Sequence, residues 1–327
     1  MARPRKTIID LNSTLYYHCI SRCVRRAFLC GEDEVTGQNF EHRRQWLADR
    51  ILFLPTIFAI DICSYAILSN HYHVVLKVQT HQASQWSETE VVNRWRTLHK
   101  ADNLVVDNYL DGKATGGEII TAKEQIERWR ANLTSISWFM RSINQFIACQ
   151  ANKEDECTGH FWQSRFKSQA LMDEAAIMSC MAYVDLNPIR AGIATNLNDS
   201  EFTSIKDRID TLVEAQKASN DHQTSPLPYQ PEALLDFGAE PSKDVIHFNL
   251  IDYLVLVDWT GRRIHPDKKS FIDSEAPPLF DQLGVDEGEW LEMTQSFERK
   301  FAYFAGQPSK LYFHANEQKH EWHQGVG

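Results

Sequence analysis

No apolar run in the 327 residues reaches the roughly 18 residues that a membrane-spanning helix needs, so no membrane partner is expected. The first residues, Met1-Ala-Arg-Pro-Arg-Lys6, are basic but have no apolar stretch behind them. A secretory signal is therefore not expected, and a cytoplasmic chain is. A cysteine framework is also missing. Seven cysteines is an odd count without regular spacing, which fits reduced thiols rather than disulfides. His18, Cys19 and Cys23 lie close together, yet no second Cys/His pair follows at finger spacing, and a zinc finger is not expected.

Net positive charge is absent as well: 44 acidic residues outweigh 34 basic ones, giving −10. Taken whole, that argues against nucleic acid, but the distribution is uneven. From Asp221 onward stand 18 acidic and 9 basic residues, leaving 26 and 25 before that point. In the first 30 residues only Asp10 opposes Arg3, Arg5, Lys6, Arg22, Arg25 and Arg26. The N-terminal part thus keeps basic patches that suit phosphates, or that form a solvated face. What remains is an ordinary globular composition, 43% hydrophobic and 24% charged, in a chain long enough for two domains or one core with large additions.

Residues 14–30 begin as a strand and end in a basic loop. Phe40, Trp46, Leu47, Ile51, Leu52 and Leu54 then recur at helical spacing until Pro55 stops them. Residues 57–67 are apolar and β-branched, and a break of only three residues, Leu68-Ser69-Asn70, separates them from a second strand running to Val78. So short a connection predicts an antiparallel pair. Residues 80–121 are polar, with a helix near 87–99, and read as a surface insertion. An apolar stripe from Ile126 to Ile147 predicts one long helix over 122–151. Residues 159–168 read as a strand with Phe161, Gln163, Arg165 and Lys167 on one face. Asp173 and Glu174 open a nearly apolar, buried helix that Pro188 ends at Asn187. Strand-helix-strand-strand-helix-strand predicts an α+β fold, a ferredoxin-like antiparallel sheet with helices on one face. The expected domain covers residues 1–200, followed by a linker over 201–230 and a mainly helical region over 231–327.

Within that order two pairs carry chemistry. His71 and His73 are two apart on a strand, hence on one face, where neutral imidazoles can hold a divalent metal ion. Solvated or merely hydrogen-bonded histidines would have the same spacing. Tyr183 and Asn187 are four apart on a helix and share a face, where they could meet the histidines or simply pack and cap the helix end.

His71-Tyr72-His73, with Tyr183-Val-Asp-Leu-Asn-Pro-Ile-Arg-Ala-Gly192 and Gly159-His-Phe-Trp-Gln-Ser-Arg-Phe-Lys-Ser168, resembles the REP-associated tyrosine transposases, of the HUH single-tyrosine type. The likeness spans roughly residues 14–195. It implies that Tyr183 is the nucleophile and that His71, His73 and Asn187 are ligands of Mg²⁺ or Mn²⁺. It also implies cleavage and rejoining of single-stranded or hairpin DNA through a 5′-phosphotyrosine bond. Arg22, Arg25, Arg26, Arg165 and Lys167 are then candidates for DNA phosphates, and Trp162, or Tyr16 and Tyr17, for stacking on unpaired bases. Core packing is the alternative for each aromatic. A homodimer is compatible, since some enzymes of this type donate the tyrosine from a partner subunit. The rivals are a hairpin-DNA binding protein that keeps the fold without catalysis, and a hydrolase whose histidine pair activates water.

Overall fold

Tyr16–Arg22 (β1) is the first strand, and His42–Phe53 (α1) follows as an amphipathic helix that runs into a short 3₁₀ turn at Pro55. Ile60–Ile67 (β2) and His71–Val78 (β3) form a hairpin across residues 68–70, with Leu68 N–H donated to His71 O at 2.9 Å. Five helices come next: Thr80–Gln85 (α2), Glu88–Leu98 (α3), Leu104–Leu110 (α4), Gly116–Leu133 (α5) and Ile136–Glu154 (α6). Lys167–Leu171 (β4) leads into Glu174–Asp185 (α7), Asn187–Arg190 (α8) and Ser204–Ser219 (α9). Leu250–Ile264 (α10), Leu279–Leu283 (α11), Glu287–Lys300 (α12), Phe304–Ala305 (β5) and Pro308–Glu317 (α13) complete the chain. This computed structural model describes residues 8–24, 29–32, 37–100, 102–219, 230–238, 244–264 and 279–317.

The strands form one sheet in the order β2-β3-β1-β4-β5. Each neighbouring pair among the first four is antiparallel, which is the ferredoxin-like arrangement, and β5 adds two residues parallel to β4. The α+β expectation therefore holds, but helices cover both faces of the sheet and not one, because both faces of β2 and β3 are apolar and need covering. Side chains alternate along β3, so Tyr72 and the histidines face opposite ways. α6 covers the Tyr72 face: Tyr72 Oη donates to Asn144 Oδ1 at 2.7 Å, and Asn144 Nδ2 donates to Ser21 Oγ at 2.9 Å. α1 lies against α6, where Arg50 Nε donates to Ser142 O at 3.1 Å. The histidine face is covered too, by α7, whose Asp185 accepts from Ser64 of β2. A sheet buried on both faces needs apolar residues at successive positions, and β2 and β3 are buried along almost their whole length.

Four segments differ from the expectations. The helix expected over 122–151 is two, α5 and α6, broken at Thr134 and Ser135. Ile126, Trp129 and Leu133 on one side of the break and Ile136, Phe139 and Ile143 on the other are all buried, so the apolar period runs through without marking it. The strand expected over 159–168 begins only at Lys167. Before that, the loop touches the sheet through a Cys23–Trp162 bridge. Arg165 and Lys167 are both exposed but are not alternate residues of one strand. Residues 80–121 hold α2, α3, α4 and the start of α5, and these bury Val91, Val92, Trp95 and Val106 against the main core. Residues 204–219, within the expected linker, form α9, which packs on the edge strand β2: Ser204 Oγ accepts Tyr65 N–H, and Arg208 Nη2 donates to Cys63 O at 3.2 Å.

The C-terminal region is built into the same body. α12 lies along α7, and β5 joins the sheet through Ala170 N–H donated to Tyr303 O and Met172 N–H donated to Ala305 O, both 2.8 Å. None of the seven cysteines is in a disulfide. Among the described residues no helix is long and apolar enough to cross a membrane.

Candidate active site

β3 places His71 at its first residue and His73 two further on, with ring centroids 5.0 Å apart. α7 begins with Asp173 capping Ala176 N–H at 2.8 Å and runs, buried, across the histidine face. Its Tyr183 ring stands edge-on to His73 at 5.9 Å. The structure thus brings together two of the residues expected to act, over a hundred positions apart in sequence. α7 ends at Asp185 with a turn at Leu186, and the chain resumes as α8 at Asn187, one residue before Pro188. Asn187 is buried one turn beyond Tyr183.

Several residues of the site were not expected from sequence. His18, on β1, is fully buried, and its Nε2 lies 2.9 Å from His73 Nδ1. His18 Nδ1 lies 2.7 Å from Gln169 Oε1 on β4, and Gln169 Nε2 donates to Phe301 O at 2.7 Å. Cys19, beside His18 in sequence, points to the opposite face with Val74, so the two cannot share a ligand set. Arg190 of α8 stacks its guanidinium 3.6 Å above the Tyr183 ring and donates from Nη2 to Tyr183 O at 2.8 Å. α12 is kinked at Ser296 (φ −131°, ψ 23°), and the turn after the kink sets Phe297 5.8 Å from the Tyr183 ring. The same turn brings Glu298 Oε1 to 2.9 Å from Tyr183 Oη, which donates to it.

Burial dominates the electrostatics. It drives the His18 and His73 imidazoles below their ordinary range, His73 further because His18 and His71 stand beside it. His71 is pushed down to about 4, by burial first and then by the Arg22 charge. Neutral imidazoles are the form that binds metal ions. The Tyr183 hydroxyl is pushed up to about 12, chiefly by burial, with Arg190 opposing and Glu298 reinforcing the shift. His71 Nδ1 sits 2.5 Å from Asn70 Oδ1. His73 Nε2 is buried and has no hydrogen-bond partner among the described residues. Among those residues no three His, Cys, Asp or Glu side chains are gathered to hold a metal ion.

The residues expected to meet DNA are distributed unevenly. Arg22 is exposed and pairs in register with His71, at the mouth of the site. Arg25 and Arg26 lie outside the described residues. Trp162 is packed into the protein: its Nε1 donates to Asn144 O at 2.8 Å and its ring meets Tyr72 at 5.7 Å. Tyr17 is fully buried, with its hydroxyl bonded to the Asp10 backbone. Packing is thus the role the structure gives both aromatics.

No protein-family model matches the chain, and no curated protein does. Among solved structures the chain is similar to one described as a REP-associated tyrosine transposase bound to a REP hairpin. The TM-score is 0.36 and the identity 14%, over 64% of this chain and 86% of the other. Likeness at that level leaves function to be argued from the site.

Proposed function

We propose that the chain is a metal-dependent transposase that cleaves and rejoins single-stranded, hairpin-associated DNA through a 5′-phosphotyrosine intermediate. The observation that carries this reading is the meeting of the Tyr183 ring with His73, beside His71, in a buried setting where His73 Nε2 has no hydrogen-bond partner among the described residues. A buried bare nitrogen next to a second imidazole fits a cation ligand. His71 and His73 would hold Mg²⁺ or Mn²⁺, with Asn187, water or DNA oxygens filling the other positions, since among the described residues no third His, Cys, Asp or Glu is placed to hold an ion with them. When bound, the ion would polarise the scissile phosphate and offset charge on its oxygens.

The chain's own residues account for the rest. Tyr183 Oη forms a bond to phosphorus, and the bond from phosphorus to the 3′ oxygen of the leaving strand breaks. The phenolic proton passes to Glu298, already its hydrogen-bond acceptor, and the 3′ oxygen takes a proton from water. Arg190, over the Tyr183 ring, stabilises negative charge as it develops on the phenolate. The covalent link conserves the bond for rejoining. Arg22, Arg165 and Lys167, all exposed, supply phosphate contacts.

One observation favours a second reading. Tyr183 is only 7% exposed, which suits a hairpin-DNA binding protein that keeps the site without using it. Incubating the full chain with a panel of hairpin oligonucleotides and Mn²⁺ separates the two. The transposase reading expects a denaturant-resistant protein–DNA adduct that vanishes in Tyr183→Phe. DNA binding with no adduct from any hairpin would establish the binder. Cleavage that persists in Tyr183→Phe would point to water as the nucleophile.

A further inference from the structure

We infer that His18 and Gln169 are positioning residues for His73, holding it in the one tautomer whose bare Nε2 faces the site. The inference rests on the metal-ion reading above and extends it to two residues on other strands.

One group in the row has a fixed polarity. The Phe301 carbonyl can only accept, so the Gln169 atom 2.7 Å from it is the amide nitrogen. The other amide atom, Oε1, is therefore the one facing His18, and it too can only accept. His18 Nδ1, 2.7 Å away, must carry the proton. Both imidazoles are fully buried, where a charged ring would be costly, so each carries a single proton. His18 Nε2 is then bare and accepts, and His73 Nδ1, 2.9 Å distant, donates. That leaves His73 Nε2 as a lone pair with no partner among the described residues.

The opposite tautomer fails twice. It would set two bare nitrogens against each other 2.9 Å apart, and it would bury an N–H on Nε2 with nothing to receive it. An orphaned buried donor costs on the order of 1–3 kcal/mol. Reversing the whole row is also blocked, because it would set Gln169 Oε1 against the Phe301 carbonyl.

The row crosses the sheet. His73 is on β3, His18 on β1, and Gln169 is the β4 residue paired with His18, while Phe301 is the C-cap of α12. A network that served only to hold strands together would end on a satisfied group. This one ends on an open valence beside His71. Metal-bound histidines characteristically donate their second ring nitrogen to an oriented acceptor, and losing such an acceptor typically costs 10- to 100-fold in metal affinity. Because the row is anchored on Phe301, the C-terminal region takes part in aiming His73.

The test uses the full-length protein and has two independent readings. Nitrogen NMR of the metal-free wild-type protein reports which His73 ring nitrogen carries the proton. The inference expects Nδ1–H and a bare Nε2; a proton on Nε2 overturns it without any variant. Mn²⁺ affinity, by calorimetry or by EPR of free ion, is then compared with His18→Phe and Gln169→Leu, which keep volume and remove the polar link. A rise in Kd of about 10- to 100-fold is expected in both. A Kd within threefold of wild type in both Phe and Leu variants overturns the inference, while the metal reading survives. If the wild type binds no Mn²⁺, the metal reading fails, and the role assigned to the two residues falls with it, whatever tautomer the NMR reports.

Discussion

Replacing Glu298 by Gln tests the proton path of the proposed reaction, because the two side chains share a shape and differ in the ability to take a proton. Glu298 Oε1 accepts the Tyr183 hydroxyl at 2.9 Å, and an amide oxygen can occupy the same place. The Tyr183 hydroxyl is pushed up to about 12 by its burial. Near pH 8 a phenol of that strength is ionised in about one molecule in 10⁴, an upper bound of about 5 kcal/mol on what a base can contribute. General bases typically contribute 10²- to 10⁴-fold. Under single turnover with saturating hairpin DNA and Mn²⁺, Glu298→Gln should therefore form the Tyr183 adduct at least about 100-fold more slowly than wild type. Its rate should also climb about tenfold per pH unit, because only the pre-formed phenolate can then attack. A rate within threefold of wild type would refute the role of Glu298 as base. A faster variant would refute it in the other direction, showing that Glu298 only holds the tyrosine back.

Two further predictions concern the framework behind the site. Asp185 accepts hydroxyls from Ser204 (2.5 Å), Ser64 (3.1 Å) and Tyr253 (2.6 Å), joining α7 to α9, β2 and α10. Asp185→Ala removes the shared acceptor, leaving Tyr253 without one while Ser204 and Ser64, 3.0 Å apart, can still pair, and should cost about 2–4 kcal/mol in urea unfolding, with Asp185→Asn costing less; a loss below about 1 kcal/mol would rule this account out. Asp207 is pushed up to about 6 from an ordinary 3.8, chiefly by burial and partly offset by the Tyr65 hydroxyl that donates to it. The folded state therefore binds this proton more tightly than the unfolded one. The resulting penalty is absent below about pH 4, grows between the two values and is complete above pH 6, where it amounts to at most about 3 kcal/mol. Asp207→Asn should be more stable than wild type at pH 7.5 by about 1–3 kcal/mol and no more stable at pH 4, and an equal difference at both pH values would contradict the assignment.

Much of the α+β framework is legible in the chain because its signals are local. The three-residue break at 68–70 dictates the β2–β3 hairpin, Pro55 ends α1, and Ser87 and Asp173 cap α3 and α7. His71 and His73 share a face because strand side chains alternate, and that needs no tertiary information. What failed locally failed for physical reasons. The apolar stripe of 122–151 hides the break at Thr134 because α5 and α6 both turn it to the same core. The aromatic and basic residues of 159–168 imitate a strand although the segment is mostly loop. The polar face of residues 80–121 suggested a surface insertion, while the opposite face of those helices is buried.

The sequence by itself determined the order of elements and the two motifs, His71-Tyr72-His73 and Tyr183 with Asn187, since both depend on spacing within one element. Only the tertiary structure decided what surrounds them. That His18 and Gln169 stand in line with His73 follows from the pairing register of β3, β1 and β4, which links positions 18, 73 and 169 and leaves no trace in local spacing. That an acidic C-terminal region supplies Phe297, Glu298 and the Phe301 carbonyl to the site follows from a kinked helix packing on α7. Contacts across more than a hundred residues are set by how faces fit together, and a chain read one segment at a time does not contain them.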